Sequence, residues 1–226
     1  MSIITISRQT GSLGSLIGAG LARALAWRYV DREMIHRAAS AAGVPDVALE
    51  ELAYEGRRGF VDRLLSALRL DPAVAPVPDA GQSEGLSRPF GGILTPLLAP
   101  VAPTMQDYVS IVDEVVRVIA DEGQVVIVGR AAQVLLAGRA DAFHVQVIAP
   151  FDLRVARVRA RHGEPRALVV NRLKASDETR CDYLERFYHT DWRDPLLYDM
   201  ILNTGHVDVE AAIKLVALGW KEKTRR

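Results

Sequence analysis

The sequence holds a single cysteine, Cys181, in 226 residues, which excludes an internal disulfide and a cysteine-built zinc site. Aromatic residues make up only 6% of it, so the core has to be built from aliphatic side chains and alanine. That composition suits helices laid on a parallel sheet. Net charge is lacking too: 28 Lys and Arg are matched by 28 Asp and Glu, which disfavours a globally basic nucleic-acid binder, although not a local basic patch. No apolar run approaches the roughly 18 to 20 residues that a membrane span needs. The most apolar irregular stretch, residues 93–102, is broken by Pro96 and Pro100. The amino terminus has neither the basic start nor the longer apolar segment of a secretory signal, and a cytoplasmic protein is expected. The five histidines, His36, His144, His162, His189 and His206, fall at no metal-ligand spacing, which argues against a catalytic zinc.

What the chain does have is a succession of short β-branched runs: residues 3–6, 125–128, 143–148 and 200–202, with a weaker one at 28–30. Helical patterns rather than hairpin turns separate them, so a doubly wound, parallel, five-stranded α/β sheet is expected. A helix is expected over residues 15–28, and another after Asp208. The clearest amphipathic pattern runs Tyr108, Ile111, Val112, Val115, Val116, Ile119, with Thr104 as its cap. Residues 71–103 contain seven prolines and four glycines, which predicts an irregular excursion, mobile or held by a partner. Short helices at 47–54 and 59–70 flank it. Together, residues 45–121 read as a mainly helical insertion within a single domain, with 71–103 a candidate surface for a homo-oligomer.

The first strand runs into Arg8-Gln-Thr-Gly-Ser-Leu-Gly-Ser15 and then a helix. Backbone amides in such a turn, with the partial positive charge of the helix start, make a site shaped for phosphate, and glycine lets main chain approach the anion closely. Thr10, Gly11, Ser12, Leu13, Gly14, Ser15 and Leu16 would form this cradle. Only Ser15 matches a full Walker A loop, with Leu13 at its second glycine and Gly14 at its lysine. A plain β-to-α turn fits the same residues. A dinucleotide turn, with Asp31 as the ribose acid, fits less well because the glycine spacing differs.

Five pieces carry a family resemblance: residues 4–14, 29–35, 126–130, 191–194 and 198–204. In this order and context the chain resembles the cytidylate kinase-like family of P-loop proteins, over nearly its whole length apart from the proline-rich excursion. The resemblance implies a P-loop NTPase-type fold with an arginine-rich lid at residues 151–190. It further implies nucleotide binding with ATP and Mg²⁺ as cofactors, and phosphoryl transfer to a nucleoside monophosphate such as CMP or dCMP. The family usually has glycine where Gly14 stands, and also at position 13, where this chain carries leucine.

Without a loop lysine, arginines have to supply the positive charge for phosphoryl transfer. Arg8 sits at the loop. Arg154, Arg157 and Arg161 fall on one helical face in a segment, 154–174, with seven basic residues and one acid. Arg130 follows a buried strand at its carboxyl end, where ligands gather in open α/β sheets, and the resemblance assigns it to the acceptor. Asp31 also ends a strand, as a contact for the acceptor or for a metal-bound water, or as a helix cap. Ser15 is the expected Mg²⁺ ligand. Asp177 and Arg180 share a face of a helix expected to start at Ser176 or Asp177, and the resemblance makes them candidates for reading the acceptor base. Asn203 and Thr204 are candidates for the adenine side. Trp192, Tyr188 and Trp220 read as packing residues, and Cys181 as a small buried side chain. An inactive nucleotide-binding or regulatory module, acting through a protein partner, fits the altered loop as a second reading. An RNA contact at 154–174 is the least favoured.

Overall fold

The computed structural model describes residues 2–32, 34 and 105–225. The expected helices at 47–54 and 59–70, the segment 71–103, the Thr104 cap and His36 lie outside the described residues. In chain order the elements are β1 (Ile3–Arg8), α1 (Gly14–Leu25), β2 (Arg28–Asp31), α2 (Met105–Glu122), β3 (Val125–Val128), α3 (Ala132–Leu135) and β4 (Ala142–Ile148). Then come α4 (Phe151–His162), α5 (Arg166–Tyr188), a 3₁₀ turn (Pro195–Leu197), β5 (Met200–Asn203) and α6 (Val209–Thr224).

The five strands form one parallel sheet in the order β2-β3-β1-β4-β5. Strand β1 lies at its centre, with Ile4 opposite both Val126 and Phe143. Alternation along the strands divides the core between the two faces. Ile4, Ile6, Val126, Val128, Val145 and Val147 pack against Ile17 and Leu21 of α1 and Ala212 and Val216 of α6. On the other face α2 lies against β3, with Val109, Val112, Val115, Val116 and Ile119 all buried. Among the described residues, no helix is long and apolar enough to cross a membrane.

Two boundaries differ from the sequence pattern for local reasons. Helix α1 stops at Leu25, three residues short of the expected end, because Ala26 turns left-handed (φ 55°) and its N–H caps the carbonyls of Ala22 and Arg23. Helix α5 starts after Pro165 and runs unbroken to Tyr188. Ser176 and Asp177 are therefore mid-helix residues and cap nothing. The preceding Arg-Ala-Leu-Val-Val-Asn-Arg-Leu-Lys-Ala contains no breaker, and the helix ends only where His189 becomes left-handed.

A buried polar pair joins two of the strands. Thr5 Oγ1 and His144 Nδ1 lie 2.7 Å apart across β1 and β4. The His144 backbone N–H donates to Asp199, whose carboxylate Lys223 grips with both contacts at 2.7 Å. Burial, followed by the opposing pull of Asp199 and the added push of Lys223, holds the imidazole below its ordinary value. A base whose folded-state pKa is depressed contributes stability above its unfolded pKa and loses it as the medium acidifies through that range. The thermal midpoint should therefore fall below about pH 6.5, and His144→Asn should flatten that acid-side fall, as a pH series of melts on both proteins would show.

Candidate functional site

The site lies at the carboxyl edge of the sheet, where β1 passes through residues 9–13 into α1. Ser12 closes the turn, its hydroxyl donating to the Gln9 carbonyl at 2.8 Å, while Gln9 Oε1 accepts from the Ala149 N–H at 3.1 Å and ties the loop to β4. Leu13 precedes the helix in a left-handed conformation (φ 67°) with no side-chain cap. That shape costs a leucine about 1 kcal/mol or more and a glycine nothing.

Two of the loop glycines also stand against protein. A Cβ on Gly11 would stand 2.9 Å from the Arg154 carbonyl oxygen. A Cβ on Gly14 would collide with the Arg8 Cβ. Both face neighbouring arginines, so these glycines make room for protein.

Those arginines turn inward. Arg154 is 4% exposed and grips Asp177 with two contacts, 2.8 and 3.3 Å, while also donating to the Thr10 carbonyl at 3.3 Å. Arg157 donates to the Thr204 carbonyl at 2.7 Å, to its hydroxyl at 2.9 Å and to the Gly11 carbonyl at 3.4 Å. Arg180 reaches Ser176 Oγ at 2.6 Å and Thr10 Oγ1 at 3.0 Å. Helices α4 and α5 are thus fastened to the loop through Thr10 and Gly11. Burial lowers the proton affinity of Arg8 and Arg180, and neighbouring cations lower it further: Arg130 and Arg32 for Arg8, Arg8 and Arg154 for Arg180. Tyr29 and Asp31 partly offset this at Arg8.

Two cavities open on this edge. One, of about 370 Å³, follows the loop from Gln9 to Leu16 and is walled by Arg157, Arg161 and Arg172. The other, of about 580 Å³, lies over the end of β3 and is lined by Arg32, Arg130, Gln133, Thr179, Tyr183 and Trp192, among others. Arg8 and Arg180 border both. The larger cavity has a stiff floor: Trp192 Nε1 donates to Ser7 Oγ at 2.7 Å, and Tyr198, its hydroxyl pushed up to about 12 by burial, donates to the Trp192 carbonyl at 2.8 Å. Its rim includes three successive left-handed residues, Gly129, Arg130 and Ala131 (φ 85°, 59° and 52°).

The expected site residues divide accordingly. Arg8, Thr10, Gly11, Leu13, Gly14, Ser15, Leu16, Arg157 and Arg161 gather at the smaller cavity, and Arg130 and Arg180 at the larger. Arg154 and Asp177 are engaged with each other. Asp31 accepts from the Tyr29 hydroxyl and the Met34 N–H, both at 2.9 Å, the second being a cap-like contact. Ser12 is buried beneath the loop. Thr204 is buried too, donating to the Ser12 carbonyl, and Asn203 accepts from the Gly205 N–H. Neither lines a cavity described above. Sequence reasoning missed Arg32, Gln133, Thr179 and Arg172. The first three approach the larger cavity from separate elements, and no spacing signals their convergence. Trp192 packs as expected and also wall-lines the cavity, with the Arg180 guanidinium 5.9 Å from its ring.

The model of the cytidylate kinase-like family matches residues 3–206. The chain belongs to that family. No curated protein matches it. Among solved structures, an uncharacterized protein from Eubacterium ventriosum superimposes with a TM-score of 0.60 at 19% identity, covering 98% of this chain and 99% of that one. A gluconokinase from Sinorhizobium meliloti gives 0.49 at 13% identity, with 99% and 94% covered. Shikimate kinase from Acinetobacter baumannii, in complex with shikimate, gives 0.47 at 14%, with 99% and 95% covered. The parallel sheet of this cytidylate kinase-like chain is that of a P-loop NTPase-type α/β fold.

Two outcomes follow from the geometry. Removing the Asp177 carboxylate leaves the Arg154 guanidinium buried without its counter-ion, so Asp177→Ala should lose about 3 kcal/mol in urea unfolding. Leu13→Gly, relieved of the left-handed penalty, should raise stability by about 1 kcal/mol in the same measurement.

Proposed function

We propose that this member of the cytidylate kinase-like family is a phosphotransferase that moves the γ-phosphoryl group of ATP to a nucleoside monophosphate, with CMP or dCMP the first acceptors to try. The observation that carries this reading is the pair of adjoining cavities, one wrapped by the loop after β1 and one over β3, with Arg8 and Arg180 on their common wall. A donor and an acceptor held in line need that arrangement: two compartments, each fitted for an anion, meeting where the phosphoryl group crosses.

In this reading the loop amides and the start of α1 hold the donor phosphates, and Arg157 and Arg161 close over them from α4. The acceptor phosphate lies against Arg130 and Arg32. Its attacking oxygen is already ionised at neutral pH, so the chemistry asks for position and charge stabilisation, and no base is required to remove a proton. Arg8 and Arg180 face the oxygens that gain negative charge as the bond to the leaving diphosphate lengthens. Ser15 lines the donor cavity, where its hydroxyl accepts weakly from Arg8 Nε at 3.4 Å. One hydroxyl suits Mg²⁺, which takes one or two protein oxygens and completes its shell with phosphate and water. Bound there, the ion would neutralise charge on the donor phosphates. Residues 45–121 are read as an insertion within a single domain.

A coupled assay for ADP release, run across the nucleoside monophosphates, tests this directly. Turnover with at least one acceptor is expected, and none at enzyme concentrations near those of substrate refutes it. Arg130→Ala should keep the melting midpoint within a few degrees and lower turnover by about a hundredfold or more, the scale of a lost charge-stabilising donor.

A further inference from the structure

We infer that Arg8 takes the place of the missing Walker lysine: its stem fills the space in which a lysine at position 14 would begin, and its guanidinium contacts both the donor phosphates and the acceptor. The inference deepens the kinase reading and rests on it. Three observations converge. First, a Cβ on Gly14, the lysine position of the motif, would collide with the Arg8 Cβ and stand 3.1 Å from its Cγ. The two side chains compete for one volume, and the chain has given that volume to Arg8. Second, a Cβ on Gly129, at the end of the neighbouring strand β3, would lie 2.5 Å from Arg8 Nη1. Gly14 and Gly129 thus bracket the arginine, one beside its stem and the other beside its head. Third, Arg8 borders the loop cavity and the β3 cavity alike, with its Nε 3.4 Å from Ser15 Oγ.

The choice of arginine has a physical reason. A lysine emerging from the loop presents a compact ammonium to the donor phosphates alone, whereas a guanidinium is a planar fork with donors on several edges. Held against the wall between two anion sites, it can serve an oxygen on each side. It also keeps its charge in a desolvated place among other cations, where an ammonium holds its proton less firmly than a guanidinium does. Arg130 and Arg32 add to that pressure on Arg8.

The test measures Mg·ATP binding by calorimetry and phosphoryl transfer to the best acceptor, for the wild type and for Arg8→Ala, Arg8→Lys and Arg8→Gln, each checked by thermal melting. A wild type that binds neither Mg·ATP nor tripolyphosphate sinks the kinase reading and this inference together. Given wild-type binding and turnover, a folded Arg8→Ala is expected to lose about a hundredfold in turnover. Millimolar guanidinium should restore at least part of that loss, and urea at the same concentration none. Turnover near the wild-type rate in Arg8→Ala overturns the inference while leaving the kinase reading standing, and so does a loss that guanidinium does not relieve. Should the alanine variant fail to fold, the other two retain a stem and carry the same comparison: the lysine variant is expected to turn over markedly faster than the glutamine variant, and equal rates overturn the inference.

Discussion

Guanidinium groups withdrawn from water and set close together are the constraint around which the carboxyl edge of this sheet is arranged. Arg130 and Arg32 press on the buried Arg8, and Arg180 feels Arg8 and Arg154. Cations in such proximity repel strongly once solvent is excluded. The protein answers with a division of labour. Arg154 is neutralised by Asp177 and becomes a strut. Arg157 is spent on the carbonyls of Thr204 and Gly11 while still facing the loop cavity. Arg8 and Arg180 border both cavities, and Arg130 and Arg32 the one over β3. Loop shape, glycine positions and the fastening of α4 and α5 all follow from accommodating these side chains.

The same accommodation gives the loop a particular mechanical character. Thr10 is a node: its carbonyl accepts from Arg154, and its hydroxyl pairs with Ser176 and accepts from Arg180. Two helices that follow β4 in sequence are joined there to a turn that follows β1. Any displacement of α5 relative to the sheet is felt at the loop, and anything that orders the loop steadies α5. The arrangement links the loop cavity and the cavity over β3 through side chains that are already in contact.

Much of the architecture is legible from periodicity. Residues 125–128 are uniformly apolar because β3 is covered on both faces, and every expected strand is present in the parallel sheet. The family is legible as well, because its pieces lie in order along the chain. Partner choice is harder to read. Arg154, Arg157 and Arg161 share a helical face in the sequence, yet the first finds a carboxylate 23 residues away and the second a threonine 47 residues away. Helical spacing says which way a side chain points, and only the assembled tertiary structure says what it meets. The glycines teach the same lesson: their position after a strand suggests a ligand, whereas the atoms that crowd Gly11 and Gly14 belong to arginines remote or near in sequence. Ser176 reads as a helix start because serine caps helices, and the long breaker-free run before it overrides that preference.

The left-handed turn formed by Gly129, Arg130 and Ala131 has an evolutionary consequence. Arginine and alanine are poor tenants of that backbone region, where glycine or asparagine would sit at ease. A lineage selected for robustness alone would drift toward those residues. The side chain at 130 therefore offers a molecular marker: descendants that trade it for glycine or asparagine gain an easier turn and surrender a cation at the mouth of the cavity over β3.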